Sequence, residues 1–213
     1  MTSVVSIIHG ARRIGEPLGE LPEWPKAIKH HLEGRGFDEV RPFYWSGGVL
    51  DGFSPAVARQ YATSLQALII DHPGDDVYII GKSLGAIVVE FALYYMSRQP
   101  SLSINVRHLL RLGCPDKRAP IHLPFVKSVT NVVSNADILA RTYAPPLTLL
   151  LRTLQRRPWQ LSNRWTEIRL PGITHDDFNH PIPVHYPPFT AVNLYDLYAD
   201  LMRRGEPETV GME

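Results

Sequence analysis

The sequence predicts an α/β protein in which a parallel sheet carries helices on both faces. Segments of strand composition alternate with segments of helical spacing, as in parallel sheets joined by crossover helices. Residues 77–80 form an unbroken apolar and aromatic run, which a strand covered on both faces requires. At 213 residues with 44% hydrophobic content, the chain has the size of one domain, and we expect a single domain over 1–213.

The first half of the chain alternates regularly between strands and helices. Residues 4–8 and 40–45 have strand composition, and a Ser-Gly-Gly turn ends the second segment. Helices are predicted over 25–33 and 55–70, because proline stands at the first position of each and apolar residues recur at helical spacing. This half therefore supplies two strand-helix pairs.

The second half begins with the 77–80 strand and continues in the same alternation. After Ser83 the apolar spacing becomes helical, and Glu90 is expected on the polar stripe of that helix. The remaining predicted elements are strands over 104–112, 126–133 and 165–170 and a closing helix from about 190 to 203.

Composition limits the classes of partner. The net charge of +1 gives no overall field for nucleic acid or an anionic membrane. Cys114 is the single cysteine, which excludes an internal disulfide and favours a reducing compartment; we expect it to be a small buried residue. No basic leader and no run of eighteen apolar residues are present, so we expect a cytoplasmic protein without an integral membrane segment.

The turn at 81–85 reads Gly-Lys-Ser-Leu-Gly and joins a strand directly to a helix. The Gly-x-Ser-x-Gly pattern is typical of a nucleophile elbow, in which glycines relieve crowding around a strained, projecting serine. A phosphate-binding loop would need glycine at 76, where the sequence has Asp76. The remaining alternative is a tight strand-helix connection without a catalytic role. Whether Ser83 has an imidazole and a carboxylate as partners distinguishes the two.

Two residues that follow later strands complete a catalytic constellation. A serine hydroxyl needs an imidazole to take its proton, and the imidazole needs a carboxylate to orient it. Asp137 follows the 126–133 strand and His175 follows the last strand, in the chain order Ser, Asp, His. Asp116 also follows a strand and is the second candidate acid, although a turn residue is the favoured interpretation.

Backbone N–H groups at two strand ends are the candidate oxyanion hole. Gly10 allows the chain after the first strand to turn so that the Ala11 N–H faces the same pocket as Ser83. Leu84 begins the helix after the serine, and its N–H lies at the positive end of that helix.

The polar residues after His175 have simpler roles. Asp176 and Asp177 are predicted to cap or solvate the following loop, and His180 and His185 to pack or line a pocket rim. No metal site is predicted, because the spacing of these residues matches no zinc motif.

These residues together resemble the α/β-hydrolase superfamily of serine esterases and lipases. The match runs from His9, through the 81–85 turn, to Asp137 and His175, and it covers most of the chain. Lys82 stands where many lipases have the histidine of Gly-His-Ser-Leu-Gly. The resemblance implies a small member of the superfamily with about six parallel strands.

The resemblance also implies a mechanism and a class of substrate. Ser83 would attack an acyl carbonyl, with His175 as base and Asp137 as its partner, and no cofactor is implied. Residues 143–154 and 182–189 are candidate linings or lids of an acyl pocket, with core packing as the alternative. We expect a small-molecule ester or thioester as substrate; acyl transfer and a non-catalytic binding module remain open.

Overall fold

The fold is built on one sheet of six strands. The computed structural model describes residues 2–11, 22–99, 105–114, 125–140, 142, 165–184 and 193–204. The strands are β1 Ser3–Ile8, β2 Glu39–Phe43, β3 Asp76–Lys82, β4 Val106–Leu112, β5 Val129–Ser134 and β6 Trp165–Leu170. Their order is β2-β1-β3-β4-β5-β6, and every neighbouring pair is parallel. The predicted α/β class with a parallel sheet is confirmed.

Within the described residues, the helices with defined bounds are α1 Trp24–Gly34, α2 Pro55–Asp71, α3 Leu84–Met96 and α4 Leu194–Arg204. The first two match their predicted bounds closely, and the third begins at Leu84 as predicted. The last begins later than the predicted position of about 190, because the Asn193 side chain accepts the Asp196 N–H at 3.0 Å and caps the helix there. In the described part of the chain, no helix has the length and apolar character needed to cross a membrane.

Helices cover the sheet on both faces, and each face has its own hydrophobic cluster. Residues of α1 and α4 pack against one face, and residues of α2 and α3 pack against the other. The first cluster includes Ile28, Leu32, Ile80, Leu110, Leu197 and Tyr198, and the second includes Tyr61, Leu65, Ile79, Val88 and Leu109. Burial of these apolar side chains on two faces holds the strands in a rigid layer.

The polar stripe predicted on α3 is wrong at Glu90. This side chain is 7% exposed, and its Oε1 lies 3.2 Å from the Nε of Arg111, which is fully buried on β4. The Arg111 guanidinium also lies over the Trp165 ring, 5.3 Å from its centroid. A buried carboxylate requires a partner of opposite charge, and Arg111 provides it from a strand that sequence spacing alone does not place beneath α3.

The carboxyl ends of the strands lie along one edge of the sheet, because all six strands run in the same direction. The register pairs Ile8 with Gly81, Lys82 with Leu112 and Ser134 with Leu170 near that edge. Residues that directly follow the strands therefore gather there, which is where ligand sites form in parallel α/β sheets.

Candidate active site

Ser83 lies in a strained turn between β3 and α3. Its φ of 51° and ψ of −127° make it the one non-glycine residue with a positive φ in the described part of the chain. Such a backbone costs about 1–3 kcal/mol and persists only where its surroundings enforce it. The Ser83 N–H donates to the Leu112 carbonyl at 2.8 Å, which ties the serine to the end of β4.

The glycines on either side of Ser83 have no room for a side chain. A Cβ on Gly81 would come 2.7 Å from the Ala86 Cα, and a Cβ on Gly85 would come 2.3 Å from the His9 carbonyl oxygen. Close approach of backbone to backbone therefore requires glycine at both positions, as the Gly-x-Ser-x-Gly pattern predicts.

Asp137 and His175 meet at the same edge of the sheet. The Nδ1 of His175 lies 2.8 Å from the Oδ2 of Asp137, whose residue is 1% exposed. The second carboxylate oxygen accepts the Ala140 N–H at 2.8 Å, so both oxygens are engaged. Because a carboxylate only accepts, the bond to Asp137 places a proton on Nδ1 and leaves Nε2 as the free ring nitrogen.

Gly113 brings this carboxylate next to the end of β4. Gly113 has a φ of 53°, and a Cβ there would come 2.9 Å from the Asp137 Oδ2. Its neighbour Leu112 accepts the Ser83 N–H. A continuous path of contacts therefore links Ser83, β4, Asp137 and His175.

Asp177 holds the turn that carries His175. Its Oδ2 accepts both the N–H and the hydroxyl of Thr174 at 2.7 Å. These two bonds hold the pKa of the Asp177 carboxyl below its usual value, and the bond from the Thr174 hydroxyl contributes more than the bond from its N–H. The next residue, Phe178, is fully buried, and its carbonyl accepts the Tyr198 hydroxyl at 3.3 Å. Asp177 therefore braces the turn that precedes it, whereas the prediction was a cap on the loop that follows, and Asp176 at the start of the 3₁₀ segment makes no side-chain cap bond.

The two candidate oxyanion donors lie on either side of Ser83. Leu84 is the first residue of α3, where a helix leaves its N–H groups without internal partners. Ala11 is exposed and follows Gly10, where a Cβ would come 2.7 Å from the Ser83 Cβ and 3.4 Å from its Oγ. The backbone of the loop after β1 thus stands directly against the serine.

The other predicted residues either have surroundings of their own or lie outside the described residues. His180 is exposed on the turn after the 3₁₀ segment Asp177–Asn179. Cys114 is buried, as expected, and accepts a hydrogen bond from the Arg111 Nη2 at 2.8 Å. Asp116, His185 and residues 143–154 lie outside the described residues. Of the 182–189 segment, Ile182 and Val184 pack against the cluster under α1 and α4, which favours core packing for this part.

The fold and the strained serine turn define a known class of architecture: the chain has the α/β-hydrolase fold. Solved structures match it over almost its full length. They include a monoacylglycerol lipase of Paleococcus ferrophilus (14% identity, TM-score 0.54, 96% of this chain and 96% of that chain). The RedJ thioesterase from the prodiginine biosynthetic pathway of Streptomyces coelicolor has 14% identity and a TM-score of 0.57, with 96% and 87% of the two chains covered.

A cold-adapted esterase from an Arctic intertidal metagenomic library is a further match, with 14% identity, a TM-score of 0.52 and coverage of 97% of this chain and 84% of that chain. No protein-family model and no curated protein matches the sequence. At these identities the similarity shows the fold and leaves the activity to the chemistry of the site.

Proposed function

We propose that this protein is a serine hydrolase that cleaves carboxylic esters, with Ser83 as nucleophile, His175 as base and Asp137 as the orienting acid. The observation that carries the proposal is the 2.8 Å bond between His175 Nδ1 and Asp137 Oδ2, at the sheet edge where the strained Ser83 lies. Acyl transfer to serine requires a buried carboxylate that orients an imidazole, which Asp137 and His175 supply, and a serine at the same edge of the sheet is the candidate nucleophile. The structurally similar lipase, thioesterase and esterase add support from the same fold.

The proposed reaction proceeds in two halves. The Ser83 oxygen bonds to the acyl carbon while its proton passes to the His175 Nε2, and Asp137 stabilises the imidazolium. The N–H groups of Ala11 and Leu84 bind the oxyanion, and collapse of the tetrahedral species expels the alcohol, which takes the proton from His175. Water then attacks the acyl-enzyme by the same route and releases the acid. No cofactor is required.

Active-site labelling tests the nucleophile directly. A fluorophosphonate probe should label the wild-type protein and should not label Ser83→Ala, which should also lose about 10⁶-fold in kcat on a p-nitrophenyl ester. Ser97→Ala, at the exposed end of α3, is the matched control and should label like the wild type. Equal labelling of wild type and Ser83→Ala would reject the proposal.

A substrate panel then separates the related reactions. We expect turnover of p-nitrophenyl esters, and a sharp optimum in chain length would measure the acyl pocket. Faster turnover of matched thioesters would make the protein a thioesterase, and acylated products in the presence of alcohols or amines would make it an acyltransferase. No turnover of any member, with no labelling, would indicate a binding protein on this fold.

A further inference from the structure

His9 lies next to the candidate site, makes several fixed contacts and has no assigned role. It directly follows β1 and is 1% exposed. Its ring stacks on the Trp45 ring at 5.5 Å and 20° between planes. The indole Nε1 of Trp45 donates to the His9 carbonyl at 2.9 Å. A histidine in such surroundings is held in one orientation, because ring and backbone are both fixed.

The hydrogen bonds of His9 select one neutral tautomer. The backbone N–H of Trp45 lies 3.2 Å from the His9 Nε2, and an N–H can only donate, so Nε2 is the acceptor. The His9 Nδ1 therefore carries the proton, and it lies 2.7 Å from the Gly10 carbonyl oxygen, to which it donates.

The bond to Gly10 fixes the direction of the next N–H. The Gly10 carbonyl and the Ala11 N–H belong to one planar trans peptide unit, so they point in opposite directions. With its carbonyl bound to the His9 ring, this unit must direct the Ala11 N–H away from His9. Gly10 itself stands against Ser83, since a Cβ on Gly10 would come 2.7 Å from the Ser83 Cβ.

We infer that His9 is a positioning residue, which acts through the Gly10–Ala11 peptide to aim an oxyanion donor. The inference rests on the proposed function, because an oxyanion forms only if Ser83 attacks an acyl group. His9 does not touch the substrate. It lowers the barrier because a pre-aimed N–H needs no reorganisation when negative charge develops.

Two substitutions separate the bonds of the His9 ring. The side-chain amide of Asn can take the place of Nδ1 and donate to Gly10, whereas that of Gln reaches the place of Nε2 and replaces only the contact with Trp45. We expect His9→Gln to lower kcat roughly 10- to 100-fold with KM within about threefold, and His9→Asn to recover most of kcat. A boronic acid, which forms a tetrahedral adduct with serine, should bind His9→Gln more weakly by a similar factor.

Tyr61→Phe is the structural control. It removes a buried hydrogen bond of 2.9 Å from Tyr61 to Ser6, on the strand that precedes His9, so it should lower stability and leave kcat unchanged. Equal losses of kcat in His9→Gln and His9→Asn, or losses that follow thermal stability across all three variants, would overturn the inference. Failure of the proposed function is distinguishable, because wild type would then escape fluorophosphonate labelling, and both proposals would fall.

Discussion

Substitution of Gly113 by alanine should damage the site through the Asp137 carboxylate. The new Cβ would lie 2.9 Å from the Asp137 Oδ2, half an ångström closer than ordinary contact, which begins at 3.4 Å. The same oxygen holds the His175 Nδ1 at 2.8 Å. A displacement of about half an ångström away from His175 would stretch that bond beyond the usual limit of about 3.2 Å.

The expected loss of activity follows from this displacement. A misplacement of about 1 Å costs about 10²-fold in rate, and loss of the correct histidine tautomer costs about 10⁴-fold. We therefore expect Gly113→Ala to lower kcat/KM about 10- to 100-fold. Stability should also fall, because the φ of 53° in an alanine costs about 1–2 kcal/mol and the Cβ would come 3.1 Å from the Phe178 ring.

Gly74→Ala separates the two effects. Gly74 has a φ of 84°, and a Cβ there would meet nothing within 4 Å, before β3 at the opposite edge of the sheet. Gly74→Ala should lose about as much stability in urea unfolding as Gly113→Ala loses from its positive φ. It should keep the wild-type kcat/KM on a p-nitrophenyl ester. Wild-type kcat/KM in Gly113→Ala, or an equal loss in Gly74→Ala, would refute the reasoning.

Two further predictions concern buried or capping titratable groups. Burial lowers the pKa of His108 to about 4, so the unfolded chain binds a proton between pH 6.5 and 4 that the folded chain does not. Between pH 7 and 4.5, the free energy of unfolding measured with urea should fall by about 2–3 kcal/mol more in wild type than in His108→Asn. Equal losses in the two proteins would contradict this. Asp177→Ala should lower kcat/KM about tenfold by loosening the turn around His175. Asp177→Asn retains an acceptor, so its kcat/KM should stay within about threefold of wild type. Equal kcat/KM values for the two variants would contradict this prediction.

The sequence was sufficient to predict the strands, the helices and their order along the chain, because both kinds of element carry strong periodic signals. The apolar and aromatic run at 77–80 and the prolines at 25 and 55 mark elements that the structure contains. Boundaries were less accurate where a side chain decides them, as at Asn193, whose cap starts α4 later than the apolar pattern suggests.

Contacts between distant strands were beyond the reach of sequence patterns. Glu90 has the spacing of an exposed residue on α3, and only the position of Arg111 beneath it explains its burial. The same limit applies to His9, which the sequence marks only as a strand end. Its role depends on Trp45, 36 residues away, which supplies the ring contact and the bond that selects the tautomer.

The edge of the sheet at which the candidate residues lie, in contrast, could be predicted, because topology decides it; their roles stay a prediction. A parallel sheet brings the residues after each strand to one edge, so Ser83, Asp137 and His175, which follow β3, β5 and β6, lie along the same edge. Their fine positions depend on the backbone around them. Gly10 stands against the serine and Gly113 against the carboxylate, each where a methyl group would intrude within 3 Å. Topology thus accounts for the edge at which the candidate residues lie, and the space left by these glycines accounts for how closely the backbone approaches Ser83 and Asp137.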